Sequence, residues 1–310
     1  MHLIALLIGL AIERLATQLF HWRRMRWLDR IIDAGFRQAE RLGNWPAIIP
    51  VIILAALLAL PVFAVMYFLG DTLQGFTYLL LAIVVLLFSL GPQDIGEEVA
   101  NYCKALESED EEQIHATAKA IIEDEVPTEP RERIAHVEAA VCVQANNRLF
   151  AVVFWFVILG AVSGSIGPLA AWIYRVTDLV RRRAVFNAGR DEGSTGYKVR
   201  VRDAAVMLHG WLAWIPARLT ALGYAAAGHA DEAIAAFRAP TEERDDSTSE
   251  RSEHLLARVG VAALALQDSS DESITERGIR GAEAANKLVF RLLLMWAVVI
   301  AAMTLYGLTR

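Results

Sequence analysis

The chain has 310 residues, 55% of them hydrophobic and 21% charged, and a mean hydropathy of +0.36. A soluble domain holds about 45–50% apolar residues, so the composition points to a membrane protein with its apolar residues gathered in blocks, and excludes fibrous and disordered classes. A net charge of −6 excludes a nucleic-acid-binding protein, whose footprint is a basic face.

Residues 1–12 are apolar and are followed by Glu13 and Arg14, so a span here carries that pair toward its cytoplasmic end. A cleaved signal peptide fits poorly, because no positive region precedes the apolar stretch and no small-residue site follows it. Residues 46–70 carry no charge and are long enough to cross the ~30 Å hydrocarbon core as one helix. Residues 72–93 follow at once and complete a hairpin, so 1–93 read as an N-terminal membrane unit with a basic cytoplasmic loop. Residues 94–148 form an acidic insert of 14 acids and five bases. Within it Ile114, Ala118, Ile121 and Ile122 predict a short amphipathic helix stopped by Pro127. Ile134, Val137, Val141 and Ala145 predict a second over 133–148 that runs into the next apolar block.

That block, 149–174, has no charge, but Gly160, Gly164, Gly167 and Pro168 break its centre. Broken backbone at membrane depth is tolerated only where protein or a wet cavity satisfies it. Lys and Arg crowd 14–41 and 175–202, 15 of them in all, and both stretches belong on the cytoplasmic side. A straight crossing by 149–174 puts the second set outside; two half-helices meeting at the Gly/Ser turn keep both inside. The reading is therefore re-entrant, with 149–203 as one unit, and its rival is a plain span that violates the charge rule. Residues 203–237 read as two helical pieces divided near Pro216, within a cytoplasmic or interfacial unit over 204–290. Residues 187–197 and 238–252 have the Gly, Pro, Ser and charge content of loops. Residues 292–309, fenced by Arg291 and Arg310 within a C-terminal unit over 291–310, give a further span. The fold class is all-α and polytopic, with three or four spans.

No phosphate-loop, dinucleotide, nucleophile-elbow or zinc-protease motif occurs. Cys103 and Cys142 lie far apart without metal spacing and read as buried free thiols. His115, His136, His209, His229 and His254 form no ligand pair. No cofactor or metal is expected. Two polar features stand out. Arg218 is the one charge between Ala204 and Ala230, which calls for a carboxylate, a bound anion or a snorkelled place at the headgroups. The expectation is an acid or anion inside the protein. Asn146, Asn147 and Arg148 front the broken apolar block and Arg175 closes it; they read either as caps and interface anchors or as a ligand vestibule.

These residues also carry a resemblance. The order of Glu13-Arg14-Leu15, a membrane hairpin, a helical insert, an Asn/Arg-fronted apolar block, Tyr174-Arg175, Trp214-Ile215-Pro216-Ala217-Arg218-Leu219 and Gly228-His229 resembles the AmpE family over nearly the whole chain. The resemblance implies an inner-membrane modulator of β-lactamase induction, acting with the AmpD amidase in cell-wall recycling. The run Pro-Ala-Arg-Leu-Thr-Ala-Leu at 216–222 is similar to the membrane cobinamide-phosphate synthases, and the synthases' Asn-Thr-Leu-Asp falls on Asp178, Leu179, Val180 and Arg181. Gly91-Pro92-Gln93 replaces their His-Pro, Glu123-Asp124-Glu125 their Gly-Arg-Asp, and His209-Gly210 their acid pair. The resemblance thus implies a kept scaffold with the synthase chemistry lost, the synthase itself being the alternative. Asn146, Asn147, Arg148, Arg175, Asp178 and Arg218 are the candidates for holding an anionic or other small ligand; no catalytic residue is assigned.

Overall fold

The computed structural model describes residues 26–41, 45–68, 76–90, 95–122, 125–162, 166–189, 196–240, 247–267 and 271–306. Residues 1–12, Glu13-Arg14-Leu15, Gly91-Pro92-Gln93 and Glu123-Asp124 lie outside them. The described residues are helical, with no strand among them: α1 (Arg26–Arg41), α2 (Ile48–Phe68), α3 (Phe76–Ser89), α4 (Ile95–Ser108), α5 (Glu111–Ile122), α6 (Pro130–Ala145), α7 (Ala151–Val162), α8 (Gly167–Gly189), α9 (Gly196–Ala227), α10 (Ala230–Arg238), α11 (Thr248–Leu264) and α12 (Ile274–Leu305). By length and composition Ile48–Phe68, Pro130–Val162 and Ile274–Met303 are apolar enough to cross a membrane.

The predicted run of 133–148 into the next block is present. α6 starts at Pro130 behind the Glu129 cap and continues through a π-helical turn, Asn146–Phe150, into α7. α7 ends at Val162, and α8, from Gly167, packs back on it. Gly167 sits where a Cβ would lie 2.6 Å from the Phe156 carbonyl oxygen, so only glycine lets α8 pack this closely on α7. The two ends of the broken block meet, Arg182 donating to Gln144 Oε1 at 3.3 Å.

Of the predicted 72–93 arm the described residues hold α3, 14 residues long, and α2 and α3 each pack against α8. Two expectations are corrected. The division at Pro216 is absent, for α9 runs straight through it. Proline removes one N–H and strands the carbonyl four residues back. Here that carbonyl, of Leu212, accepts from the Trp155 indole of α7 at 3.1 Å, so the helix need not end. Finally, 248–252 are the first turns of α11, set by a reciprocal cap between Ser247 and Glu250.

The buried side chains form three clusters. One joins the acidic insert α4–α6 to α9, α11 and the first half of α12 through Tyr102, Val141, Tyr224 and Leu288. A second joins α3 and the α7–α8 turn through Leu86, Val153, Phe156 and Tyr174, with Ile300 of α12. A third joins α1, α2 and α8 to the start of α9. Outside these, large apolar side chains face outward along the candidate spans, including Ile53, Leu57, Leu60 and Phe63 of α2 and Leu294, Val298 and Val299 of α12.

Candidate functional site

Where α7 and α8 leave the apolar hairpin, their polar residues turn inward. Three consecutive polar residues on an α-helix fan out over more than half its circumference, yet Asn146, Asn147 and Arg148 are all buried. They sit in a π-helical turn, a distortion often found at functional positions, and each reaches a partner on a different element. Asn146 accepts from the Thr220 hydroxyl of α9 at 2.9 Å and donates to Asn147 at 3.0 Å. Arg148 forks onto both oxygens of Glu98 in α4, at 2.9 and 2.8 Å, and donates from Nε to Gln144.

Asp178 is the centre of the cluster and is fully buried. On α8 it has Arg175 one turn before and Arg181 and Arg182 one turn after, with N–O distances of 3.0, 3.0 and 2.9 Å. Burial by itself raises a carboxyl pKa, but Arg182, Arg181 and Arg175 outweigh it and hold Asp178 well below the usual carboxylate range. His209 of α9 lies 3.8 Å from the same carboxylate, with its ring against Tyr174 at 5.3 Å. Burial, helped by Arg181, pulls this imidazole down to about 3 in spite of Asp178, so it is neutral at physiological pH. α11 closes the cluster through Glu253, 3.4 Å from both Arg181 and Asn147. Gly210 permits the approach, since a Cβ there would lie 2.7 Å from the Ser249 backbone nitrogen. On the outer side a cleft of about 640 Å³ runs between α6, α8 and α11, with Gln144, Arg181, Arg182 and Glu253 on its wall.

Five of the six predicted candidates, Asn146, Asn147, Arg148, Arg175 and Asp178, therefore belong to one connected network. Arg218 does not. It lies on the outer face of α9, its guanidinium 4.0 Å from the centroid of the Trp214 ring and its Nη1 donating to the Trp214 carbonyl at 3.0 Å. Trp211, Trp214, Ile215, Leu219 and Leu222 are exposed along the same stripe. The expected acid partner is replaced by an aromatic face and a backbone oxygen, because the helix turns its small residues, Ala213, Ala217 and Ala221, to the core.

Glu98, Gln144, Arg181, Arg182 and Glu253 are members that the sequence reading did not select. The spacing Arg175, Asp178, Arg181, Arg182 is an i, i+3, i+4 charge pattern and was readable; Glu98 and Glu253 come from distant elements and leave no local signal. Ser249, His209 and Asp178 lie in sequence across the site, His209 Nδ1 being 3.5 Å from Ser249 Oγ. They do not make a nucleophilic triad: Asp178 is committed to guanidiniums, the imidazole resists protonation, and Ser249 is buried. The arrangement holds and neutralises charge. Among the described residues no group of three or more His, Cys, Asp or Glu side chains converges on a metal-sized site.

No curated protein and no solved structure matches the chain. A family model described as "Regulatory signalling modulator protein AmpE" matches residues 1–309, and the chain belongs to that family.

Proposed function

We propose that this membrane protein regulates the β-lactam response from the bacterial inner membrane, in functional connection with the AmpD amidase and cell-wall recycling, and that the buried cluster around Asp178 is where it responds to a small ligand. Family membership supports the regulatory role. The observation that carries the ligand reading is the Asp178 network itself, a set of guanidiniums, amides and carboxylates gathered from α4, α6, α8, α9 and α11 and opening on a cleft of ligand size. The commitment of Asp178 to three guanidiniums favours sensing over a synthase reaction on a related scaffold.

The cluster and the acidic insert are assigned to the cytoplasmic side. α7 has 12 residues, about 18 Å of helix, which is less than the ~30 Å core. A span taken from the longer rod Pro130–Val162 would carry the buried Arg148, with its Glu98 partner, toward the bilayer, so α7 and the start of α8 are read as dipping into the bilayer and returning. Deleting the gene should shift susceptibility to β-lactams, and the parent gene should restore it. Asp178→Asn, shown to be present in the membrane, should not. An unchanged susceptibility in the deletion strain sinks the regulatory reading; full restoration by Asp178→Asn sinks the role of the cluster.

A further inference from the structure

The cluster has three carboxylates, and they are not equivalent. Asp178 and Glu98 are buried, with side chains 0% and 6% exposed, whereas that of Glu253 is 29% exposed and lies on the cleft wall. The contacts differ in the same way. Asp178 and Glu98 hold their arginines at 2.8–3.0 Å, within the range of charge-assisted hydrogen bonds. Glu253 stands 3.4 Å from Arg181 and 3.4 Å from Asn147, near the limit for each. It is thus the outermost and most loosely held anion of the network, and it covers a guanidinium and an amide that lie behind it, with Arg181 13% exposed and Asn147 2%.

Deeper in, the site is polar and incompletely satisfied. The Tyr174 hydroxyl and Arg181 Nε are buried without a hydrogen-bond partner among the described residues, and such groups ordinarily find one. The cleft wall carries Arg181, Arg182 and Arg183 together with Asp29, Glu125 and Glu253, and Leu179, Val185 and Phe186 stand beside the arginines. Such a lining fits a molecule with a small anionic head held on the arginines and a larger uncharged body.

Resting on the ligand-binding reading of the cluster, the geometry points to Glu253 as an internal stand-in. Its carboxylate occupies the head-group position of an anion site, and an organic carboxylate or phosphate entering the cleft displaces it and takes over Arg181 and Asn147. Because Glu253 is carried by α11, whose N-terminal turn also packs Ser249 against Gly210 and His209, exchange of one carboxylate for another releases a contact between α11 and α8. This gives the protein a bound and a self-occupied state with the same buried arginines neutralised in both.

The test uses the full chain in detergent micelles, titrated with inorganic phosphate and separately with acetate while the heat of binding is followed. The parent should bind weakly, because its own carboxylate competes. Glu253→Gln keeps the shape and removes the charge, and should bind roughly ten-fold tighter, the size expected for removing one competing charge. Adding Arg181→Gln should abolish that gain. Glu253→Asp, which withdraws the carboxylate by one methylene, should fall between the two and serves if the Gln variant does not fold. A gain with phosphate identifies a phosphorylated head and a gain with acetate a carboxylate; either supports the site. Equal affinity in the parent and both Glu253 variants overturns the proposal, and so does a gain that survives Arg181→Gln. Binding with no β-lactam phenotype would remove the regulatory reading and leave the anion site, and the converse result would do the opposite.

Discussion

At the level of single residues, the cluster shows why a buried charge in this chain is tied to several partners at once. An isolated carboxylate costs too much to bury, and removing one partner of a buried pair costs about 3–5 kcal/mol because the other charge is left behind. Asp178→Asn leaves three guanidiniums around a neutral amide, so a loss in that range is expected in the melting of the purified protein. Arg202→Gln, which breaks an exposed pair with Asp203, should change it by less than about 0.5 kcal/mol. His209 gives a separate pH signature. Its pKa in the folded chain, about 3, is below the ordinary value, so between roughly pH 6.5 and pH 3 the unfolded chain binds the extra proton. Stability is therefore full above pH 6.5 and falls as pH drops through that window, by about 2 kcal/mol between pH 6.5 and 5 at 1.36 kcal/mol per unit. Asp178, also lowered, loses its contribution only as pH falls below the ordinary carboxylate value, outside that interval. Melting temperatures at pH 7.5 and 5 should thus differ in the parent and converge in His209→Gln; an equal drop in both would remove His209 as the cause.

At the level of elements, proline is the instructive case. Pro61 in α2 and Pro216 in α9 are both interior. In α9 the stranded carbonyl, of Leu212, accepts the Trp155 indole N–H at 3.1 Å, whereas in α2 the Trp172 indole donates to Leu58 at 3.0 Å, one residue past the Leu57 carbonyl that Pro61 strands. Trp155 stands on α7, so the hairpin that looks like a broken span also repairs α9. This was not legible in the sequence, where Pro216 reads as a helix start because the compensating donor is 57 positions away. Trp155→Phe keeps the ring and deletes the donor; it should cost about 1–3 kcal/mol, the penalty of an unsatisfied buried carbonyl, and amide exchange should quicken around 212–216. Other boundaries were legible. Ser247-x-x-Glu250 and Ser273-x-x-Glu276 are both reciprocal caps in the structure, and the Ser-x-x-Glu spacing marks helix starts within stretches whose polar composition otherwise reads as loop. The stripe on α9 falls between these cases: its apolar residues were visible, but which way Arg218 faces depends on Ala213, Ala217 and Ala221 turning to the core. With no buried acid to strand, Arg218→Ala should leave the stability in detergent, read from melting, within about 0.5 kcal/mol of the parent, whereas a clear loss would mean that it meets a charge after all.

At the level of the whole molecule, the apolar blocks over 46–70, 149–174 and 292–309 are recovered as α2, the α7–α8 hairpin and the second half of α12. Apolar runs are read from composition alone; what composition does not carry is how far a helix extends into polar sequence. α12 starts at Ile274, well before its apolar part, because its first half packs on α4 and α6. The sidedness of the chain depends on the hairpin. Gln144 before it and Arg182 after it are in hydrogen-bond contact, and Arg148 and Asp178, on its two flanks, share the same buried network. A polypeptide that passed once through the hydrocarbon core between residues 149 and 174 would hold these groups ~30 Å apart, on opposite faces. These contacts support the proposed topology, in which the basic stretch 175–202 and the acidic insert share one side and the excess of Lys and Arg makes that side the cytoplasmic one. Arg200 and Glu112 are exposed members of the two stretches. Single cysteines placed at each, with Cys103 and Cys142 replaced by serine, should both resist a membrane-impermeant maleimide in intact cells and both react once the inner membrane is opened. Labelling of Arg200→Cys but not Glu112→Cys in intact cells would show that 149–174 crosses the bilayer, and would separate in the membrane residues that the fold holds within hydrogen-bonding distance.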